Sequence, residues 1–174
     1  MDLVCDLRAE LFTICESWLH DLDSAILSEL TLPGYSKLYH CPRTDRRGGG
    51  TVPLYRDALD VNKVFSAERS SFEVSEWLVV FGFVRLRAVI VYRPTYSAEH
   101  PVTTSVFFHE FSVYLESLVT CNELLLICGD FNFHMDVPSD ADTIRIKDLL
   151  NSMGLVQHVK RPTHIHIRNS LKIV

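Results

Sequence analysis

Five apolar residues in a row, Leu124-Leu-Leu-Ile-Cys128, run directly into Gly129-Asp-Phe-Asn132. A short continuous apolar run closed by turn residues reads as a buried β-strand. Where it emerges, an acid and an amide stand side by side at the strand's end. Asp130 offers a hard carboxylate oxygen suited to Mg²⁺, or a group that orients an attacking water. Asn132 can donate to a phosphate oxygen without adding charge, and Gly129 lets backbone or substrate approach closely. The competing reading is a plain strand-ending turn, because Gly, Asp and Asn are common turn residues.

The rest of the chain alternates strand-like and helix-like segments. Glu10-Leu-Phe-Thr-Ile-Cys-Glu16 is short and β-rich, as is Val52–Arg56, which follows a polar, glycine-rich loop over residues 43–50. Phe72–Phe81 and Val84–Tyr92 meet at Gly82 as an antiparallel hairpin. Arg93-Pro94 ends the second of these, since proline cannot donate to a ladder. Between residues 104 and 120, Phe107, Phe111, Tyr114, Leu115 and Leu118 recur at helical spacing, a core stripe rather than a cofactor pocket. Ile146, Leu149, Leu150 and Met153 share one face of a second helix over Asp142–Met153, which Gly154 stops. A short helix over Ala25–Leu30, capped by Asp23 or Ser24 and ended by Pro33-Gly34, is also expected. Strands mixed with helices give an α/β (α+β) layered domain, a single one over residues 1–174.

Two further strand ends carry polar groups. Glu16 follows the apolar strand Leu11–Cys15, where a carboxylate can bind metal or simply be solvated. Tyr92 and Arg93 close the hairpin; the hydroxyl can contact a phosphate and the guanidinium can neutralise one, or Tyr92 can merely pack. Layered α/β proteins place their sites at strand ends, so three such constellations together weigh more than each alone.

Composition narrows the setting. At 174 residues and 47% hydrophobic, the chain is long enough to bury one core, and 10% aromatics argue against disorder. No apolar run approaches the roughly 18 residues of a membrane span, and the first residues lack a signal-peptide pattern. An intracellular setting is therefore expected, nuclear if genomic DNA is the substrate. Five cysteines without a CxxC pair speak against a disulfide framework or a zinc site. A net charge of −5 is not that of a protein that coats nucleic acid, though an enzyme with acidic metal ligands can be acidic overall.

Glu16-Ser-Trp-Leu-His-Asp, Arg47-Gly-Gly-Gly50, Val91-Tyr-Arg-Pro94, Gly129-Asp-Phe-Asn-Phe-His134 and Gly154-Leu-Val-Gln-His-Val occur in one order. The set resembles the endonuclease domain of non-LTR (LINE-type) retrotransposon polyproteins, within the endonuclease/exonuclease/phosphatase superfamily. The resemblance implies a four-layer α/β sandwich of the DNase I-like type, here incomplete, and Mg²⁺-dependent nicking of DNA, with Mn²⁺ as an alternative ion. It assigns Glu16 and Asp130 to metal, Asp130, Asn132 and Tyr92 to catalysis, and Arg93 and Asn132 to the substrate. Water then attacks in line while metal and side chains stabilise charge on the phosphate, a positional and electrostatic form of catalysis.

The chain departs from that pattern in places. The family's first strand, ending in an active-site asparagine, and its closing Ser-Asp-His motif have no counterparts among these residues. Lys172 stands where relatives carry an acid, and Pro53, where relatives favour an ordinary strand residue, is expected to weaken its strand. These departures motivate a second reading, a catalytically dead retroelement remnant with at most weak nucleic-acid binding. A third is a superfamily relative acting on phosphoinositides or another phosphoester. Arg46 and Arg47 form no P-loop, since no Gly-Lys-Ser/Thr follows. His164 and His166 lack a third ligand, and His134 lies at the wrong chain position to replace the family's histidine.

Overall fold

The computed structural model describes residues 8–18, 32–37 and 49–159. Its strands are β1 (Leu11–Cys15), β2 (Tyr35–Lys37), β3 (Thr51–Arg56), β4 (Asp60–Glu68), β5 (Glu73–Phe81), β6 (Val84–Tyr92) and β7 (Leu124–Asp130). Two helices, α1 (Thr104–Leu118) and α2 (Ala141–Ser152), flank β7 in the chain. The strands form two sheets, β1-β3-β2 and β4-β5-β6-β7. Every pairing is antiparallel except β6 with β7, which α1 connects as a crossover.

Two cores follow from the strand alternation. On one face of the four-stranded sheet, Val74, Val89 and Val91 pack against Phe107, Phe111 and Leu115 of α1, with Ile146 of α2. Phe72 meets Phe107 and Phe111 edge-on, with ring centroids 5.8 and 5.6 Å apart. On the other face, Trp77, Val79, Ala88 and Ile90 pack with Tyr55 and Leu59, and with Leu11 and Cys15 of β1. Among the described residues the layers therefore run helices, four-stranded sheet, three-stranded sheet. This is an α/β sandwich, as the sequence pattern leads one to expect.

Local chemistry explains the element ends. Asp140 caps α2 by accepting from the Thr143 backbone at 2.8 Å. Beyond the helix, Gly154 (φ +71°) donates to Asn151 O at 3.0 Å and Leu155 to Leu150 O at 2.9 Å, a Schellman close that glycine alone adopts without strain.

Three expectations change. The run Leu124–Cys128 is only half buried: Leu124 is 64% exposed and Leu126 40%. Both stand on the face turned towards the three-stranded sheet, which covers Cys128 but stops short of them. The second concerns Pro53, which does not cost β3 its pairing to β1. Arg56 donates to Glu10 O at 3.0 Å, so hydrogen-bonded pairs continue at Phe12–Leu54 and Ile14–Val52, and Thr13–Pro53 is a non-hydrogen-bonded pair. The missing N–H faces the β2 side, where the described pairing ends at Leu54. Third, β2 and β4 join the sheets although the hydrophobic pattern does not announce them. The expected helix at 25–30, Arg46, Arg47, His164, His166 and Lys172 lie outside the described residues.

Candidate functional site

At one end of the sandwich, β5 begins while β6 and β7 end. Register places Glu73 opposite Tyr92, and Tyr92 opposite Asp130. All three lie on the face that carries Trp77, Ala88 and Cys128, so they form a polar row aimed at the other sheet. From that sheet β1 ends and β3 begins at the same place. Glu16, one residue past β1, crosses the gap: the Tyr92 hydroxyl donates to Glu16 Oε1.

The Gly129-Asp-Phe-Asn-Phe133 segment is held by its apolar members. Phe131 packs edge-on against Phe111, centroids 5.6 Å apart, and Phe133 stacks on Phe108 at 5.7 Å. With the phenylalanines anchored in the helix-side core, Asp130 and Asn132 are left at the strand end. Asn132 takes a left-handed conformation (φ +50°), tolerated by Asn better than by most residues. Its backbone N–H donates to Asp130 Oδ1 at 2.9 Å, and its side-chain amide donates to Arg93 O at 2.6 Å. Gly129 (φ +132°) admits no side chain, because a Cβ there would lie 1.9 Å from Val91 O.

Arg93 points into the protein. It is 7% exposed, and its guanidinium turns inward. Nη1 donates to Phe131 O at 3.1 Å and Asn132 O at 3.2 Å, while Nη2 donates to Thr104 Oγ1 at 3.1 Å. The group also lies over the rings of Phe133 and Phe107, at 4.4 and 5.2 Å. Burial pulls its pKa below the ordinary arginine value, opposed by the carboxylates of Asp142 and Asp130. A fork closed on two carbonyls and a hydroxyl braces the 131–132 turn and is withdrawn from a phosphate in solvent.

Glu16 is exposed yet held in an uncommon backbone state. Among the described residues, four non-glycines have positive φ, and three of them, Glu16 (+53°), Trp18 (+54°) and Asn132, belong to this end of the sandwich. Such conformations persist where surrounding structure enforces them, and they cluster at functional sites. Here the enforcing groups are Gly49 and Gly50, whose carbonyls accept from Trp18 N at 3.0 Å and Ser17 N at 3.2 Å. Beneath them lies Cys15, whose thiol burial pushes up to about 12, against a smaller lowering by the Asp130 backbone.

The structure thus brings Glu16, Tyr92, Asp130 and Asn132 to one place and turns Arg93 into their support. Sequence reasoning missed Glu73, a buried carboxylate in the same row; a Glu opening a strand gives no hint of burial. Among the described residues, no group of three or more His, Cys, Asp or Glu is arranged to hold a metal ion. Mg²⁺ uses one or two protein carboxylates together with water and substrate phosphates, and Glu16 and Asp130 are the carboxylates that would hold one here. Nor is any helix among these residues long and apolar enough to cross a membrane.

Comparison with known proteins bears on the fold. No family model matches the chain, and no curated protein matches its sequence. Solved structures do match. Caenorhabditis elegans TDP2 aligns at TM-score 0.57 and 16% identity, over 78% of this chain and 54% of that one. A D. rerio TDP2 complexed with a single-strand DNA product is similar as well. ANGEL2, a 2',3'-cyclic phosphatase, aligns at TM-score 0.60 and 17% identity, over 84% of this chain and 46% of that one. The endonuclease domain of TRAS1, a telomere-specific non-LTR retrotransposon, aligns at 0.56 and 12%, over 94% of this chain and 68% of that one. The chain spans about half the length of the first TDP2 and of ANGEL2. It shares with these structures the DNase I-like α/β sandwich fold.

Proposed function

We propose that this domain cleaves phosphodiester bonds in DNA with the help of a divalent metal ion, in the manner of a retrotransposon endonuclease. The observation that carries the reading is the junction of Tyr92 with Glu16 across the two sheets, in one row with Asp130. Support comes also from the ordered motifs shared with that group, and from the strained backbone gathered at the same strand ends.

Glu16 and Asp130 are the residues that would hold Mg²⁺ or Mn²⁺, whose chemistry is to neutralise phosphate charge and lower the pKa of bound water. The chain's own groups do the positioning. Tyr92 spends its one hydroxyl hydrogen on Glu16 and so fixes that carboxylate. The Asn132 amide, one hydrogen of which is on Arg93 O, has a second for a phosphate oxygen. Asp130, tied by the Asn132 backbone, orients the attacking water. No covalent intermediate is needed, since orientation and charge stabilisation lower the barrier.

Relaxation of supercoiled plasmid by the purified chain, with Mg²⁺ and with EDTA, tests the reading. Nicking with Mg²⁺ alone supports it. Equal inertness in both, at protein concentrations well above those of plasmid, overturns it.

A further inference from the structure

Glu73 is a carboxylate with a cost and no assigned role. It opens β5, is 7% exposed, and stands beside Tyr92 in the register. Removing a carboxylate from water is unfavourable unless its oxygens accept hydrogen bonds. Glu73 Oε2 accepts one from Gly50 N at 2.9 Å. Gly50 in turn, with Gly49, accepts the backbone N–H groups of Ser17 and Trp18, the two residues that follow Glu16. Both glycines have positive φ, at +76° and +85°, so their orientation is not fixed by a side chain of their own. Glu73 supplies a fixed point for Gly50.

Two paths therefore run from Glu73 to Glu16. One passes through Gly50 and the Ser17 backbone, the other through the β5–β6 register to the Tyr92 hydroxyl. We infer that Glu73 is a positioning residue, whose carboxylate sets the Gly49-Gly50 entry to β3 and thereby the left-handed turn that presents Glu16. It acts by reach, as an acceptor at the right distance, rather than by its charge. The part of this inference that concerns metal rests on the proposed function; the part that concerns the turn does not.

Two conservative variants of the whole chain separate reach from charge. Glu73→Gln keeps the length and an acceptor oxygen but loses the charge, whereas Glu73→Asp keeps the charge and falls one methylene short. Trp18 is a built-in reporter of the turn, because it is 57% exposed while Trp77, the other tryptophan, is fully buried. Acrylamide quenching of Trp18 and Mn²⁺ affinity, the latter from the free-ion EPR signal, are the readouts. Glu73→Asp is expected to alter the quenching and weaken Mn²⁺ binding about tenfold, as loss of a supporting contact does; Glu73→Gln is expected to match the wild type in both. Unchanged quenching in Glu73→Asp, or a defect in Glu73→Gln that Glu73→Asp lacks, overturns the inference. If quenching follows this pattern while the wild type itself fails to bind Mn²⁺, the positioning role stands and the metal-dependent function fails.

Discussion

The hydroxyl of Tyr92, the last residue of β6, donates a hydrogen bond to the carboxylate of Glu16, one residue beyond β1 in the other sheet. These two residues are 76 apart in the chain, and only the stacking of the sheets brings them together. The contact converts two unremarkable strand ends into one site. It also makes a direct forecast. Tyr92→Phe removes the donor and little else. Because Glu16 is exposed, water can replace the hydroxyl, and stability is expected to change by less than about 1 kcal/mol. Nicking activity is expected to fall about 10- to 100-fold, as for loss of a hydrogen bond that orients a metal ligand. Parallel urea melts and plasmid assays separate the two effects.

Gly129 is expected to tolerate no substitution. The nearest backbone atom to a Cβ at this position, Val91 O at 1.9 Å, belongs to the strand paired with it. Gly129→Ala must push β6 and β7 apart at the level of Tyr92 and Asp130, besides straining φ. A loss of about 3 kcal/mol or more is expected, read from the urea midpoint.

Arg93 separates the structural reading from the one its sequence position suggests. Lysine cannot reproduce a planar fork on three oxygens with an aromatic ring beneath it. Arg93→Lys is expected to lose about 2–4 kcal/mol of stability. The salt dependence of DNA binding should nonetheless stay as in the wild type, because no phosphate contact is removed. A shallower slope in the folded variant would show that the guanidinium does reach the backbone of DNA.

Alkaline pH should weaken the fold through Cys15. Its thiol ionises near 9.0 when unfolded and is pushed up to about 12 by burial. In that window the unfolded chain releases a proton that the folded chain keeps, so the folded state binds more protons and stability falls as pH rises. Burial shifts Cys128 and Tyr114 in the same direction. The urea midpoint of the wild type is therefore expected to drop between about pH 8 and about pH 10.5, and that of Cys15→Ala to drop less. Equal slopes would show that Cys15 is not protected from solvent in the native state.

Much of this fold is legible in the chain because burial imposes a period. α1 and α2 show their apolar faces at helical spacing, and β1, β3, β5 and β6 show theirs as compact apolar runs. β4 escapes such a reading for a physical reason: at the edge of its sheet, Asn62, Lys63, Val64 and Phe65 are all exposed, and the register shift between Lys63 and Phe65 breaks the alternation. The apolar run of β7 overstates its burial, since Leu124 and Leu126 extend past the strand that covers Cys128. At the site, Glu16, Tyr92, Asp130 and Asn132 announce themselves as polar residues ending apolar strands. Arg93 looks the same in sequence and differs only because Phe107 and Phe133 enclose it. Glu73 looks solvated and is not, because Gly50 arrives from another sheet to meet it. Local pattern carries the strand ends; tertiary packing decides which of them face each other.

The central claim is that Glu16 and Asp130, from different sheets, serve one metal-dependent phosphodiesterase site. Plasmid nicking in Mg²⁺ by the wild type, by Glu16→Gln and by Asp130→Ala, each verified as folded by circular dichroism, tests it most directly. Nicking by the wild type, reduced at least about 100-fold in each variant, is the expected result. Nicking that persists unchanged in either folded variant would contradict the claim.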